Sequence, residues 1–321
     1  MELNIKCETK LKGKYKCQIF HADGSLKQDT GWFDNLVLNQ GLDQIGIGAT
    51  PRNAPGPYLN SVCSLGTGTT TPQYTDTQLS AYGCASSPPN GGVWGATTAY
   101  VAGPPAYWSC IWQYTFATGV ATGTWSEIGV GNWYSVSDSQ PELFSHALIT
   151  SGGSPTTITV LSTESLIVTY ELDYYINTTT NSYSMTISGI TYTGSYLRAN
   201  ITTAPFLYSG CILSSGVSTA TALTYYNGTI GSVTGAPSGS SGGGINNSST
   251  SQPTPYSPGT YFNTFSNNVG IGQANLSGGI SAIMITHSSQ GDWQFSVSPA
   301  IPKTSSYQLT ISYSISWARY P

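Results

Sequence analysis

The stretch that most constrains this chain is Tyr307–Trp317. Tyr307, Leu309, Ile311, Tyr313, Ile315 and Trp317 are apolar or aromatic, and every residue between them is Gln, Thr or Ser. A side-chain period of two is the signature of a half-buried β-strand, because successive side chains point to opposite faces. At ~3.3 Å per residue the run would span roughly 36 Å, long for a globular strand. No helical phase gathers the same residues on one side.

The strand has an earlier echo. Val168, Tyr170, Leu172 and Tyr174 match Ile311, Tyr313, Ile315 and Trp317; Ser145–Thr150 matches Ser281–Thr286; Glu127–Gly131 matches Asn268–Gly272. Three ordered matches predict a duplicated unit. The expected class is all-β, as two tandem antiparallel β-sandwich-like domains with long Gly/Ser/Pro-rich loops. Composition agrees. Only 7% of residues are charged, and Thr, Tyr, Gly, Asn, Ser and Pro, which suit strands and turns, fill the gap.

The expected layout starts with a basic hairpin over residues 1–27, turning at Lys12-Gly13. A first β domain covers 28–176 and a linker 177–182. A second β domain covers 183–321, and its low-complexity stretch 228–260 is expected to be a flexible, outward-projecting loop. The segment 30–45 is the best helix candidate, with Leu36, Leu42 and Ile45 on a partial stripe that Gly41 weakens.

Charge is unevenly placed. Residues 1–27 hold six lysines against three carboxylates, while the rest of the chain holds four basic and eleven acidic side chains. Lys6, Lys10, Lys12, Lys14 and Lys16 are therefore candidates for docking on an acidic partner; the plainer reading is solvated hairpin faces. A pI near 5.2 argues against general nucleic-acid binding. No apolar run approaches membrane-spanning length, and the N-terminal residues lack a secretory pattern, so synthesis in a reducing cytosol is expected. The six cysteines have no metal-ligand spacing and read as small buried hydrophobes, with a Cys7–Cys17 bridge open across the expected hairpin.

Catalytic chemistry finds little footing. His21, His146 and His287 are the only histidines, and no nucleophile, metal or nucleotide motif surrounds them. His146 stands where the second copy has Ala282, so the duplicated architecture does not require it. Glu171 and Asp173 share one strand face at a spacing within reach of glycoside hydrolysis, but the second copy has Ser314 and Ser316 there. No catalytic residue, metal or cofactor is expected. Trp94, Tyr107, Trp108, Trp133 and Tyr134 could stack on sugar rings or anchor a protein interface; they could equally fill a sandwich core.

The ordered segments Asp29–Asp43, Leu65–Leu79 and Trp125–Gly131, continued by Leu143–Ile149, Pro155–Leu161 and Val168–Leu172, resemble virion structural proteins of tailed bacteriophages. That resemblance implies a non-enzymatic tail, neck/collar or head-attached fibre component. It would be located in the virion, oligomeric, and in contact with other virion proteins. A second reading is a receptor-binding adhesin that recognises host glycan through aromatic loops; a polysaccharide depolymerase using Glu171 and Asp173 is a distant third.

Overall fold

The computed structural model describes residues 2–47, 61–88, 97–133, 139–187, 189–202, 221–246, 256–287 and 291–321. Chain order gives β1 (Glu2–Phe20), β2 (Leu26–Asp34), β3 (Leu36–Val37), α1 (Asn39–Ile47), β4 (Val62–Gly66), β5 (Tyr82–Ala85), β6 (Thr97–Val101) and β7 (Ala106–Phe116). Short strands follow: β8 (Gly123–Trp125), β9 (Glu127–Asn132), β10 (Glu142–Leu148), β11 (Thr150–Ser151), β12 (Ser154–Pro155) and β13 (Ile158–Val160). Then come β14 (Ser165–Ile176), β15 (Asn181–Ile187), β16 (Ile190–Ala199), β17 (Thr221–Tyr226) and β18 (Ser241–Asn246). The chain ends with β19 (Phe262–Val269), β20 (Ile280–His287), β21 (Gly291–Ile301) and β22 (Leu309–Arg319). The fold is all-β, and α1 is the one helix among the described residues.

A central seven-stranded sheet, in the order β19-β22-β1-β14-β7-β6 with β2 branching from β1, draws on both ends of the chain. β14 lies antiparallel to β1 on one side, and β22 lies parallel to it on the other. Two further sheets lie against its inner face. One is β3-β10-β9-β4-β5 and the other β15-β16-β21-β20-β17-β18. Tyr15 of β1 reaches the former through a 2.6 Å hydroxyl contact to Ser145. Trp108 of β7 reaches the latter by donating its indole N–H to the Ile201 carbonyl at 3.0 Å.

The period of two explains this layering. Along β1 the odd residues from Cys7 to Ile19 are buried, while Lys10, Lys12, Lys14 and Lys16 between them are half-exposed. The inward sets of β7, β14 and β22 are buried in the same way, and Tyr15, Tyr170 and Trp112 sit in register across three strands. Their rings pack at 5.1 and 5.9 Å. Each such side chain removed from water contributes about 1.5–3 kcal/mol, so the phase of these strands decides which face is inside.

The expected N-terminal hairpin is corrected. β1 is one continuous 19-residue strand, and the turn that folds it back lies at His21–Ser25, leading into β2. Gly13 is not a turn residue; a Cβ there would come within 2.5 Å of the Asn35 side chain, so glycine makes room for that amide. With Cys7 and Cys17 ten residues apart on one strand and both thiols free, the bridge between them is also overturned.

The two halves of the chain do not close separately around the 177–182 division. They share the central sheet, and one contiguous core runs from Cys7 to Trp317. Two of the repeat matches are kept as strands, β14 with β22 and β10 with β20, but Gly270–Gly272 is a turn where Gly129–Gly131 is strand. The stretch expected as a projecting loop is partly built in. β18 pairs with β17, and Gln294 ties residues 231–235 to β21, accepting from the Gly231 amide and donating to the Ser232 carbonyl. Residues 247–255 of that stretch lie outside the described residues. The helix candidate shrinks to Asn39–Ile47, with Leu42 and Ile45 buried as its stripe implies.

Candidate functional site

Three polar constellations could carry chemistry. The first joins β9, β10 and the 67–81 loop. Glu127 is wholly buried and accepts hydrogen bonds from the amides of Gly68, Ser80 and Ala81 and from the Ser80 hydroxyl. His146 is buried between two carboxylates, with Nδ1 at 2.9 Å from Asp76 and Nε2 at 3.0 Å from Glu127. Ionised carboxylates only accept, so both ring nitrogens must donate and the ring is an imidazolium. Burial alone would lower its pKa, but the bonds to Glu127 and Asp76 raise it above the ordinary histidine value. Burial would raise Glu127, and the donors from His146, Ala81 and Ser80 instead hold it down to about 2. Ser80 donates to Glu127 and not to His146, so this is no nucleophile–base pair. The cluster ties the Thr/Gly-rich loop onto the sheet.

The second constellation lies on the outer face of the central sheet. Glu171 and Asp173 of β14 flank the Lys14 ammonium at 3.2 and 4.0 Å. Ser109 of β7 donates to Glu171 at 2.6 Å. Both carboxylates are nearly buried although they point outward. Burial, then the charge of Glu171, pushes the Asp173 carboxyl up to about 7 against the pull of Lys14. One lysine serves two packed carboxylates, so one proton is retained by the pair near neutrality.

The third is Arg198 on β16. Its guanidinium lies 3.7 Å over the Trp293 ring and donates to the Thr9 hydroxyl at 2.6 Å. Burial, the largest influence, lowers it to about 9. This cation joins the inner face of β1 to β16 and β21.

The lysines proposed for docking do not form a free basic patch. Lys10 approaches Glu8 at 3.8 Å, Lys12 pairs with Asp34 at 3.1 Å, and Lys14 holds Glu171 and Asp173. Lys14 and Lys16 also sit over the ring of Trp32, at 5.3 and 5.6 Å. Three of these lysines therefore meet four carboxylates on that face, which offsets the positive charge expected from the sequence. Lys6 is placed by its backbone alone, opposite Ser314 of β22.

Among the described residues the aromatic candidates are not brought together. Trp108 is a core residue, which overturns its reading as an exposed platform. Tyr107 packs on Tyr175 at 5.2 Å on the outer face, and Trp133 meets Tyr82 edge-on at 6.3 Å. Trp94 and Tyr134 lie outside the described residues.

Asp76, Glu127 and Ser80 escaped the sequence reading. A usable signal existed for Glu127: a carboxylate set among the apolar and small residues of Trp125–Val130 must be buried and paired. Asp76 carried no such signal, because only the folded loop brings it to His146. Among the described residues no group of three or more His, Cys, Asp and Glu side chains could hold a metal ion, and no helix is long and apolar enough to cross a membrane. No protein-family model, curated protein or solved structure matches this chain.

Proposed function

We propose that this chain is a non-enzymatic structural component of a tailed-phage particle, assembled there through protein–protein contacts. One observation carries the reading. The six strands that end the three large sheets, β19, β6, β3, β5, β15 and β18, contain no Lys, Arg, Asp or Glu. Proteins that stay monomeric blunt their sheet edges with charges, proline or bulges, because an unpaired row of backbone donors and acceptors invites another strand. Among the described residues the branch strand β2 carries charges, Lys27, Asp29 and Asp34, and the edges β5 and β18 pair through an irregular register, while β19, β6, β3 and β15 have none of these guards. An uncharged set of edges suits a subunit whose edges are used.

The three polar constellations support the same reading. Each one binds segment to segment, and none presents an activated nucleophile or a free base. The residues that carry the phage resemblance also work inside the fold. Asp43 accepts from the Tyr256 hydroxyl and the Gly259 amide, and the Leu65–Leu79 segment is tied to Glu127 through the Gly68 amide. The test is to purify particles of the phage that encodes the chain and quantify the chain by mass spectrometry. A fixed stoichiometry per particle is expected; its absence from purified particles would overturn the proposal.

A further inference from the structure

Of the long sheet edges, β15 is the one left unfinished. Among the described residues it ends its sheet and pairs with β16 alone, in an unbroken register from Asn181↔Tyr196 to Ile187↔Ile190 with no bulge. It carries no charge and no proline. The strand is held firmly. Tyr183 lies across Gly194, where an added Cβ would come within 2.8 Å of the ring, and donates its hydroxyl to the Ser296 carbonyl two strands away at 2.6 Å. A template this well fixed loses little further entropy on pairing.

Its apolar face is also incomplete. Tyr183 and Met185 pack against the core but remain half-exposed, and Ile190 beside them on the hairpin is 48% exposed. The other long edge, β19, differs. Its inward residues Asn263, Phe265, Asn267 and Val269 are all buried, so no face there waits to be covered.

We infer that the free edge of β15 docks the β15 of a second copy of this chain, antiparallel and centred on Ser184. The sequence of the strand is self-complementary in that register. Ser182 faces Thr186, Tyr183 faces Met185, and Ser184 faces itself, so hydroxyls meet hydroxyls and apolar side chains meet on the core side. Opposed Cβ atoms in such a pair stand about 4.5–5.5 Å apart, and sulfur–aromatic contact between Met185 and Tyr183 adds to the burial. The two six-stranded sheets then run on as one. This names a partner for the assembly proposed above and rests on that reading only for its biological purpose.

The test uses the full chain. Sedimentation across a concentration series should show a monomer–dimer equilibrium. Ser184→Lys places two ammonium groups opposite each other and should weaken self-association by roughly tenfold or more. Position 184 is exposed, so at concentrations where both chains are monomeric the unfolding midpoint of that variant should match that of the native chain. Asn268→Lys on the β19 edge should dimerise normally. Ser184→Cys should form a disulfide-linked dimer through position 184 under mild oxidation, a readout that stands even if the lysine variant folds poorly. A monomer at every concentration, a dimer that survives Ser184→Lys, or a Ser184→Cys chain that does not cross-link would each overturn the inference. Particle incorporation is scored separately. A chain present in particles but monomeric in solution sinks the edge and spares the assembly reading, and a β15 dimer absent from particles does the reverse.

Discussion

At the scale of single residues, burial and pairing decide which charges this chain tolerates. Glu127 is stable as an anion only because His146 and three backbone amides surround it. Glu127→Gln leaves the His146 cation with one carboxylate in a buried site, a change that costs about 3–5 kcal/mol when a buried pair is broken. A urea titration should show the midpoint falling accordingly; a loss well under 1 kcal/mol would mean the cluster is not holding the loop. Asp173 behaves oppositely. Its folded pKa of about 7 stands above the ordinary 3.8, so folding takes up a proton in this range. The contribution of Asp173 to stability is complete below ~pH 4 and is lost as pH rises through 7. The urea midpoint of the native chain should therefore fall between about pH 4.5 and pH 7 and level off above that. Asp173→Asn, which keeps the neutral shape, should flatten that drop, and an equal drop in both chains would refute the assignment.

At the scale of elements, close approach matters as much as pattern. Strand β9 lies so near β10 that a Cβ on Gly131 would fall 1.9 Å from the Glu142 carbonyl oxygen. That oxygen belongs to the backbone and cannot step aside. Gly131→Ala should cost about 1–3 kcal/mol through strain, read as a lower thermal midpoint; an unchanged midpoint would show that the β9–β10 pair can spread. Strand β1 makes a similar point about reading sequences. The odd-residue phase never breaks from Cys7 to Ile19, so continuity was legible, yet Lys12-Gly13 looked like a turn. Room for the Asn35 side chain, invisible in the local sequence, is what the glycine supplies.

At the scale of the whole molecule, β1 and β22 bind the ends of the chain together. Trp317 is 1% exposed and donates its indole N–H to the Leu42 carbonyl at 2.8 Å. Arg319 donates to the carbonyl of Val37 and the side chain of Asn39. The last strand thus caps the region around α1. One shared core predicts a single cooperative unfolding transition in calorimetry, and Trp317→Ala should lower it by about 3–5 kcal/mol. Two resolved transitions, with only the later one moved by that substitution, would show that the halves fold independently.

The sequence by itself determined the all-β class, the inward and outward faces of β14 and β22, and the absence of a recognisable catalytic motif. Those follow from a local period of two, which burial enforces residue by residue. It also determined that Glu171 and Asp173 share a face. What surrounds that face was decided by tertiary structure: Lys14 and Ser109 come from strands distant in the chain and neighbouring only in the sheet. The same holds for the apparent duplication, whose two copies join across β1, with β14 antiparallel on one side and β22 parallel on the other. Strand partners are chosen by contacts between remote segments, and no local pattern encodes that choice.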